Sequence, residues 1–148
     1  MRRYAARLTA LTLAGSLLAA PLAGCTLFGP KTPDPAATAK SLADGLTSGD
    51  LAALPLDGSA PAAATEALKT AIGPLKDTRR TVTVGEVKVK DNDPKSATAT
   101  LQWTWDVSDT AADWSYPTQA QLKLAEDQTW HVVWAPTLIE PKLTATER

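Results

Sequence analysis

Few residues in this chain have the chemistry of catalysis or of metal binding. The sequence contains one histidine, His131, and one cysteine, Cys25. A zinc site built from nitrogen and sulfur ligands needs several such side chains, so none can be assembled here. Four acidic residues lie in predicted turns, where Asp makes local hydrogen bonds, and a calcium site is only the second choice for them: Asp91, Asp93, Asp109 and Asp113. The sequence therefore predicts no metal and no cofactor. His131 stands between Trp130 and Val132, which share one face of a predicted strand. We therefore expect His131 on the opposite face, partly exposed, rather than in a catalytic site.

The signature motifs of several enzyme classes are missing. No glycine-rich phosphate loop occurs, and no Gly-x-Ser-x-Gly elbow. Penicillin-reactive serine enzymes need Ser-x-x-Lys, Ser-x-Asn and Lys-Thr-Gly, and no serine here has a lysine three residues later. Asp106 and Tyr116 are the nearest candidates for the acid–base pair of a ketosteroid-isomerase-like pocket. Asp106, however, is out of phase with the apolar face of its strand and is expected to face solvent.

The first 25 residues have the pattern of an export signal that ends at a lipid-modified cysteine. Three arginines give a positive start, and the apolar stretch over residues 8–21 is shorter than the ~20 residues of a comfortable membrane span. The next four residues, Leu22, Ala23, Gly24 and Cys25, resemble the lipobox of bacterial lipoprotein precursors. The resemblance implies cleavage before Cys25, lipid on its sulfur, and a chain held on the outer face of the cell membrane. The alternative is a plain secretory signal with an incidental cysteine.

The part of the chain after the signal is acidic and has the length of one domain. The signal holds three of the 15 basic residues and no acid, so 12 basic side chains remain against 16 acidic ones, a net charge of −4. Because nothing basic is clustered, the sequence argues against nucleic acid as a partner. With no second cysteine, stability must come from a packed core.

The first half of this domain has helical periodicity. Asp34 can cap the first helix and Gly49 can close it, while Pro55 ends a short second helix. The predicted helices cover residues 35–48, 51–54 and 61–72. The apolar faces expected to be buried comprise Ala39, Leu42, Ala43 and Leu46 in the first helix, and Ala64, Leu68, Ala71, Ile72 and Leu75 in and after the third.

After Asp77 the apolar period changes from 3.6 to 2. The predicted strands cover residues 82–89, 97–107, 114–124 and 130–134. A one-residue slip at Gly85-Glu86 predicts a β-bulge, and Pro117 predicts an edge or a bulge because it cannot donate to a ladder. A sheet with one apolar face must be covered, and the helices are the available cover. The predicted fold class is α+β, with three N-terminal helices packed on a curved four-stranded antiparallel sheet.

All five tryptophans fall on the predicted strands. Trp103, Trp105, Trp130 and Trp134 are in phase with the valines and leucines of the same face. Two interpretations are open, because a tryptophan buries about 150–250 Å². The four indoles could line a pocket for a small apolar ligand in the cone between sheet and helices, or they could fill the core of a domain poor in Phe and Ile. Their phase favours core filling.

The C-terminal end of the chain carries a family resemblance. Residues 130–143 read Trp-His-Val-Val-Trp-Ala-Pro-Thr-Leu-Ile-Glu-Pro-Lys-Leu. This Trp-x-Val-x-Trp strand, followed by Pro, Ile-x-Pro and Leu, resembles the close of the MecA-type N-terminal domain of class B penicillin-binding proteins, whose fold is similar to nuclear transport factor 2. The helix opening at Asp34 and the Gly49-Asp50 break also fit. Glu140 stands where family members often carry a histidine.

The resemblance implies a noncatalytic extracytoplasmic domain that spaces or positions a peptidoglycan transpeptidase at the cell wall. Cell-wall synthesis proteins or peptidoglycan would be its partners, and the chain would be either a fragment of a longer transpeptidase or a free-standing lipoprotein. The stretch from Trp134 to Leu143 would lead the chain out of the domain, and we call it the exit strap. Its prolines are expected to exclude helix. The predicted organisation is a signal over 1–24, a tether over 25–33, the nuclear transport factor 2-like domain over 34–143 and an exit over 144–148. The alternative function is a small-ligand-binding lipoprotein with a Trp-lined cone.

Overall fold

A computed structural model describes residues 31–107, 109 and 112–141. The predicted signal peptide, the lipobox (Leu22, Ala23, Gly24 and Cys25) and the predicted exit over 144–148 lie outside the described residues. Within the described part of the chain, no helix is long and apolar enough to cross a membrane.

The described chain is an α+β domain with two α-helices and a five-stranded mixed sheet. The helices are α1 (Ala36–Ser48) and α2 (Pro61–Ile72), and the strands are β1 (Leu56–Asp57), β2 (Arg79–Lys90), β3 (Asp93–Asp106), β4 (Trp114–Leu124) and β5 (Trp130–Val133). Single 3-10 turns cover Gly73–Leu75 and Pro136–Leu138. The sheet is curved and unclosed, with the strand order β1-β5-β4-β3-β2.

Helix α1 has the predicted ends and the predicted buried face. An Asp34 carboxylate oxygen accepts the N–H of Ala36 at 2.9 Å, and Gly49 ends the helix in the left-handed conformation with φ of 83°. The four predicted positions Ala39, Leu42, Ala43 and Leu46 are all buried. The helix contacts β2, β3 and β5, so it is the element that covers the middle of the sheet.

The predicted helix over Leu51–Leu54 is wrong; the segment is a turn. The Asp50 side chain accepts the N–H of Ala52 at 2.9 Å, and the N–H of Leu54 donates to Leu51 O at 3.1 Å. Only four residues lie between Asp50 and Pro55. They form too few intrahelical hydrogen bonds to offset the free-energy cost of nucleating a helix, and the Asx turn is formed instead.

Helix α2 matches the third predicted helix, with Pro61 at its first position. Ala64, Leu68 and Ile72 are buried. The prediction that Ala71 is buried is wrong, because this residue is exposed. Thr65 is buried instead, and its hydroxyl accepts the N–H of Leu51 at 3.1 Å, which ties the turn to the helix.

The prediction of a four-stranded antiparallel sheet is also wrong, because the sheet has a fifth, parallel strand. Leu56 and Asp57 pair in parallel with Val132 and Val133, and the N–H of Val132 donates to Pro55 O at 2.9 Å. Two residues are too few to show a period of two, so the strand leaves no sequence signal.

The predicted bulge at Gly85-Glu86 is confirmed. Val84 pairs with Leu101 and Val87 pairs with Ala99, so two residues of β2 oppose one residue of β3. A bulge of this kind bends its strand and adds twist.

The edge predicted at Pro117 is confirmed as well. The β3–β4 register is unbroken through Pro117, and β5 pairs only with residues 121–124 of β4. The other side of Pro117 therefore faces no strand, and its missing N–H costs the sheet no hydrogen bond.

Candidate functional site

The sheet presents four aromatic side chains on the face that carries the core. Trp103 lies opposite Tyr116, and Trp105 lies opposite Trp114, across the β3–β4 ladder. The Trp103 ring stacks on Trp105 at 5.9 Å and on Tyr116 at 6.1 Å between centroids. Trp114 stacks on Trp105 at 6.5 Å. We call these four residues the aromatic ladder; it runs from a fully buried end at Trp103 to Trp114, which is 47% exposed.

The polar atoms of this face bind the segment at the C-terminal end of the described chain, which is part of the predicted exit strap. Leu138 O accepts two hydrogen bonds, from the indole N–H of Trp103 at 3.0 Å and from the hydroxyl of Thr118 at 3.0 Å. Tyr116 donates its hydroxyl to Ile139 O at 2.9 Å and accepts the indole N–H of Trp105 at 3.3 Å. We call this set of bonds the exit clamp.

The exit clamp is buried at Trp103 and Thr118 and partly buried at Tyr116. Thr118 is 3% exposed, and Leu138 and Ile139 belong to the core. In the described part of the chain, every buried side-chain nitrogen and oxygen has a hydrogen-bond partner. Burial raises the pKa of Tyr116, and the charge of Glu140 raises it further, against the opposing effect of the Trp105 hydrogen bond. The Tyr116 hydroxyl is therefore held in the protonated form that can donate to a carbonyl.

The exit strap was predicted to exclude helix, and this is wrong at its centre. Pro136–Leu138 forms a 3-10 turn, in which Leu138 N–H donates to Ala135 O at 3.0 Å. A proline excludes the interior of a helix but is well suited to its first position, where its missing N–H is not needed. The turn directs two consecutive carbonyls, those of Leu138 and Ile139, at the aromatic ladder.

The segment at the N-terminal end of the described chain is bound by a different tryptophan. The indole N–H of Trp130 donates to Pro33 O at 2.8 Å, and Trp130 is 2% exposed. Pro35, two residues on, is buried. We call this contact the entrance clamp, and it joins residues on opposite ends of the described chain.

The two clamps lie at different positions along β4. Trp130 pairs with Leu124, whereas the exit clamp uses Thr118 and Tyr116, six and eight residues earlier on the same strand. At about 3.4 Å per residue, the two positions are on the order of 20 Å apart along the sheet. The two end segments of the described chain are thus bound near opposite ends of one strand.

The tryptophans proposed as pocket lining lie in and against the core. Trp103, Trp105 and Trp130 are buried, and Trp134 is half-buried. The indole nitrogens of the first three bond to groups of this chain. A ligand-binding role for these four residues stays a prediction.

The other candidate residues are dispersed. Asp106 pairs with Arg79 across the β2–β3 ladder, and its carboxylate lies 3.8 Å from the Arg79 guanidinium. It follows Trp105 in β3 and is therefore on the face opposite to Tyr116, so the acid–base pair of an isomerase-like pocket is not brought together. His131 is half-buried on the outer face of β5, as predicted. In the part of the chain described, no three His, Cys, Asp or Glu side chains form a group that could hold a metal ion.

The clamp hydroxyls were missed by sequence reasoning, although one signal was present. Thr118 occupies a position in phase with Tyr116, Ala120 and Leu122 on the buried face of β4. A hydroxyl at a core-facing position needs a hydrogen-bond partner. The partner itself, a carbonyl 20 residues away, has no signature in the side chains.

Fold and site together define an α+β domain whose sheet binds both end segments of the described chain, with no assembled catalytic group among the described residues. The family model of the NTF2-like N-terminal transpeptidase domain (MecA_N) matches residues 34–147, and the chain belongs to this family. This domain is distinct from the catalytic domain of the transpeptidases.

The chain was also compared with solved structures and with curated proteins. Among solved structures, the chain is similar to Aln2 from a Streptomyces species, with 11% identity, a TM-score of 0.40, and coverage of 69% of this chain and 89% of that chain. A search of curated proteins gave no match.

Proposed function

We propose that this chain is a noncatalytic extracytoplasmic module that positions a peptidoglycan-transpeptidase-type protein at the cell wall, with lipid on Cys25 holding it at the outer face of the cell membrane. Membership of the NTF2-like N-terminal transpeptidase domain family supports the association with a transpeptidase. The observation that carries the positioning role is the pair of clamps on the two end segments of the described chain.

A module that positions another protein must hold its own ends at a fixed separation. Peptide segments outside a sheet are otherwise mobile, because few bonds oppose their conformational entropy. Here Pro33 is bound by Trp130, and Leu138 and Ile139 are bound by three side chains of β3 and β4. Two of these bonds are buried and two are partly buried. Because such bonds are costly to leave unmade, both ends are expected to be rigid relative to the sheet.

The tether limits the distance between the domain and the membrane. Pro33 is the eighth residue after Cys25, and an extended chain spans at most about 3.5 Å per residue. The entrance clamp is therefore within about 28 Å of a lipidated Cys25. The exit clamp lies about 20 Å from the entrance clamp along the sheet, so an attached or bound transpeptidase would be held at about that separation from the tethered end of the domain.

Spin-label distances test this positioning role. Labels would be placed on cysteines at Thr32 and Pro141 in a Cys25→Ser chain, and their separation measured by pulsed electron paramagnetic resonance. A narrow distribution is expected, because both labels adjoin a clamp. Trp130→Phe, which removes the donor to Pro33, should broaden it, whereas the matched variant Trp134→Phe should not. A broad distribution in the chain with both clamps intact would rule out a fixed separation.

The proposed anchor has its own test. Full-length chain expressed in a bacterial host should appear in the membrane fraction and take up a labelled fatty acid. The Cys25→Ser variant should lose the label. An unlabelled chain with Cys25 intact would show that the first 24 residues are a plain secretory signal.

A further inference from the structure

A cationic cleft lies between the C-terminal ends of the two helices and the start of β2. Its lining includes Ser48 and Gly49 at the end of α1, Lys69 on α2, Lys76 after the 3-10 turn, and Arg80 on β2. No acidic side chain lines this cleft in the described chain. Three cations in one concavity are unexpected in a domain whose acidic residues outnumber its basic ones.

Arg80 is the unusual member of this set. It is half-buried and shares the core face of β2 with Val82. Its Nε donates to Leu46 O at 2.9 Å, and its guanidinium lies 6.0 Å from the centroid of the Trp105 ring. Among the described residues no carboxylate pairs with it, whereas its neighbour Arg79 has Asp106. A partly desolvated guanidinium without a counter-ion is costly unless an anion is supplied.

The guanidinium is also held in place. A side chain at Gly49 would begin 2.9 Å from one terminal nitrogen of Arg80. Gly49 therefore leaves room for the guanidinium as well as supplying the left-handed conformation that ends α1. With Nε fixed to Leu46 and the ring of Trp105 alongside, the terminal nitrogens remain as donors. Such a fixed fork matches the geometry of a phosphate or carboxylate.

The two lysines can be recruited to a bound anion. Lys69 pairs with Glu66 at 3.1 Å and Lys76 pairs with Asp77 at 2.5 Å, and all four side chains are more than half exposed. Exposed ion pairs contribute little and are readily exchanged. A singly charged anion such as a carboxylate can be neutralised by one of these cations, whereas the oxygens of a phosphate can accept hydrogen bonds from several of them.

We infer that the cleft formed by Lys69, Lys76 and Arg80 binds a phosphate group, either free or carried in a phosphodiester. The site adjoins the exit clamp through the ring of Trp105, but it uses none of the clamp hydrogen bonds and does not rest on the proposed positioning role. The cations also lie near helix C-termini, where positive charge is favourable without any ligand; binding data distinguish the two explanations.

The test is a titration of the isotopically labelled full-length chain in detergent, followed by amide NMR shifts. Inorganic phosphate, glycerol 3-phosphate and glycerophosphoglycerol are added separately, against sodium chloride at matched ionic strength. Saturable shifts at the amides of Ser48, Gly49 and Gly73 are expected. Binding of the diester would assign the site to a phosphodiester polymer, and binding of only the other two would assign it to a small phosphate.

Matched variants identify the site. Lys69→Gln with Lys76→Gln removes two exposed charges and should weaken binding about tenfold or more, given the strength of charge-assisted hydrogen bonds. Lys88→Gln with Lys90→Gln removes the same charge from the far end of β2 and should leave the affinity unchanged. Arg80→Lys keeps the charge without the fork and should weaken binding, with a thermal melt as the check on folding. No saturable shift, or equal weakening in both double variants, would overturn the inference and leave the cations to the helix ends.

Discussion

Removing the Tyr116 hydroxyl should destabilise the domain more than removing the Thr118 hydroxyl, although Thr118 is the more deeply buried residue. Each hydroxyl donates one hydrogen bond to the exit strap and accepts one from a tryptophan. The difference lies in what each removal leaves behind.

In Tyr116→Phe, two groups lose a bond at once. Ile139 O loses its 2.9 Å donor, and the indole N–H of Trp105 loses its 3.3 Å acceptor. In Thr118→Val, neither partner is left alone, because Leu138 O and the indole N–H of Trp103 still bond to each other at 3.0 Å. An orphaned buried group costs about 1–3 kcal/mol, and a net hydrogen bond about 1 kcal/mol. Since Tyr116 is partly exposed, water can reach part of the site, and we expect about 2 kcal/mol for Tyr116→Phe and under about 1 kcal/mol for Thr118→Val.

Urea unfolding followed by tryptophan fluorescence measures both values. The slope should stay constant, so that the shift in midpoint reports the free energy of unfolding alone. Hydrogen exchange at residues 138–141 should rise in Tyr116→Phe and change little in Thr118→Val. A cost for Thr118→Val equal to or above that for Tyr116→Phe would refute the bonding pattern assigned to the exit clamp.

Three further predictions follow from single contacts. Gly45→Ala should destabilise the domain by about 1–3 kcal/mol in a thermal or urea melt, because the added Cβ would lie 2.8 Å from a backbone oxygen. This clash outweighs the better helix propensity of alanine. The control is Ser41→Ala on the exposed side of α1, which should leave the stability nearly unchanged. The free energy of unfolding should fall as the pH rises from about 10, because Tyr116 has a raised pKa in the folded state and its phenolate cannot donate to the strap. In alkaline unfolding curves, the Tyr116→Phe variant should lose this pH dependence. The Asp93 carboxylate has a lowered pKa because it accepts hydrogen bonds from Ser96 and from a backbone amide. The carboxylate therefore stabilises the β2–β3 turn at neutral pH, and this stabilisation should be lost as the pH falls below 3.8. Amide exchange in the turn, compared with that of Asp93→Asn, measures the loss.

The long elements of the fold could be predicted because their side chains repeat. Leu42 and Leu46 in α1, and the unbroken alternation through Trp103 and Trp105, have a period that only one secondary structure satisfies. Leu51–Leu54 has no length over which a period could be judged, and Asp50 began an Asx turn rather than a helix. Strand β1 is shorter still and is defined by its partner in β5.

The residues predicted to be buried are buried where other elements of the domain cover the face on which they lie. Trp114 lies on the same face as Trp105, which it pairs with in the β3–β4 register. Exposure of Trp114 depends on how far the covering elements reach, which no pattern within β4 records. The clamps depend on backbone carbonyls, and a carbonyl is present at every residue. Sequence can therefore indicate that Thr118 needs a partner, but only the folded chain identifies Leu138 as that partner.

The central claim is that this domain positions a peptidoglycan transpeptidase. The most direct test is chemical cross-linking of intact cells that express the chain, treatment with fluorescent penicillin, and precipitation under denaturing conditions with an antibody to residues 33–143. A penicillin-labelled band that carries the domain, within one polypeptide or cross-linked to it, is the predicted result. A cross-linked, membrane-bound domain with no penicillin-labelled polypeptide would contradict the claim.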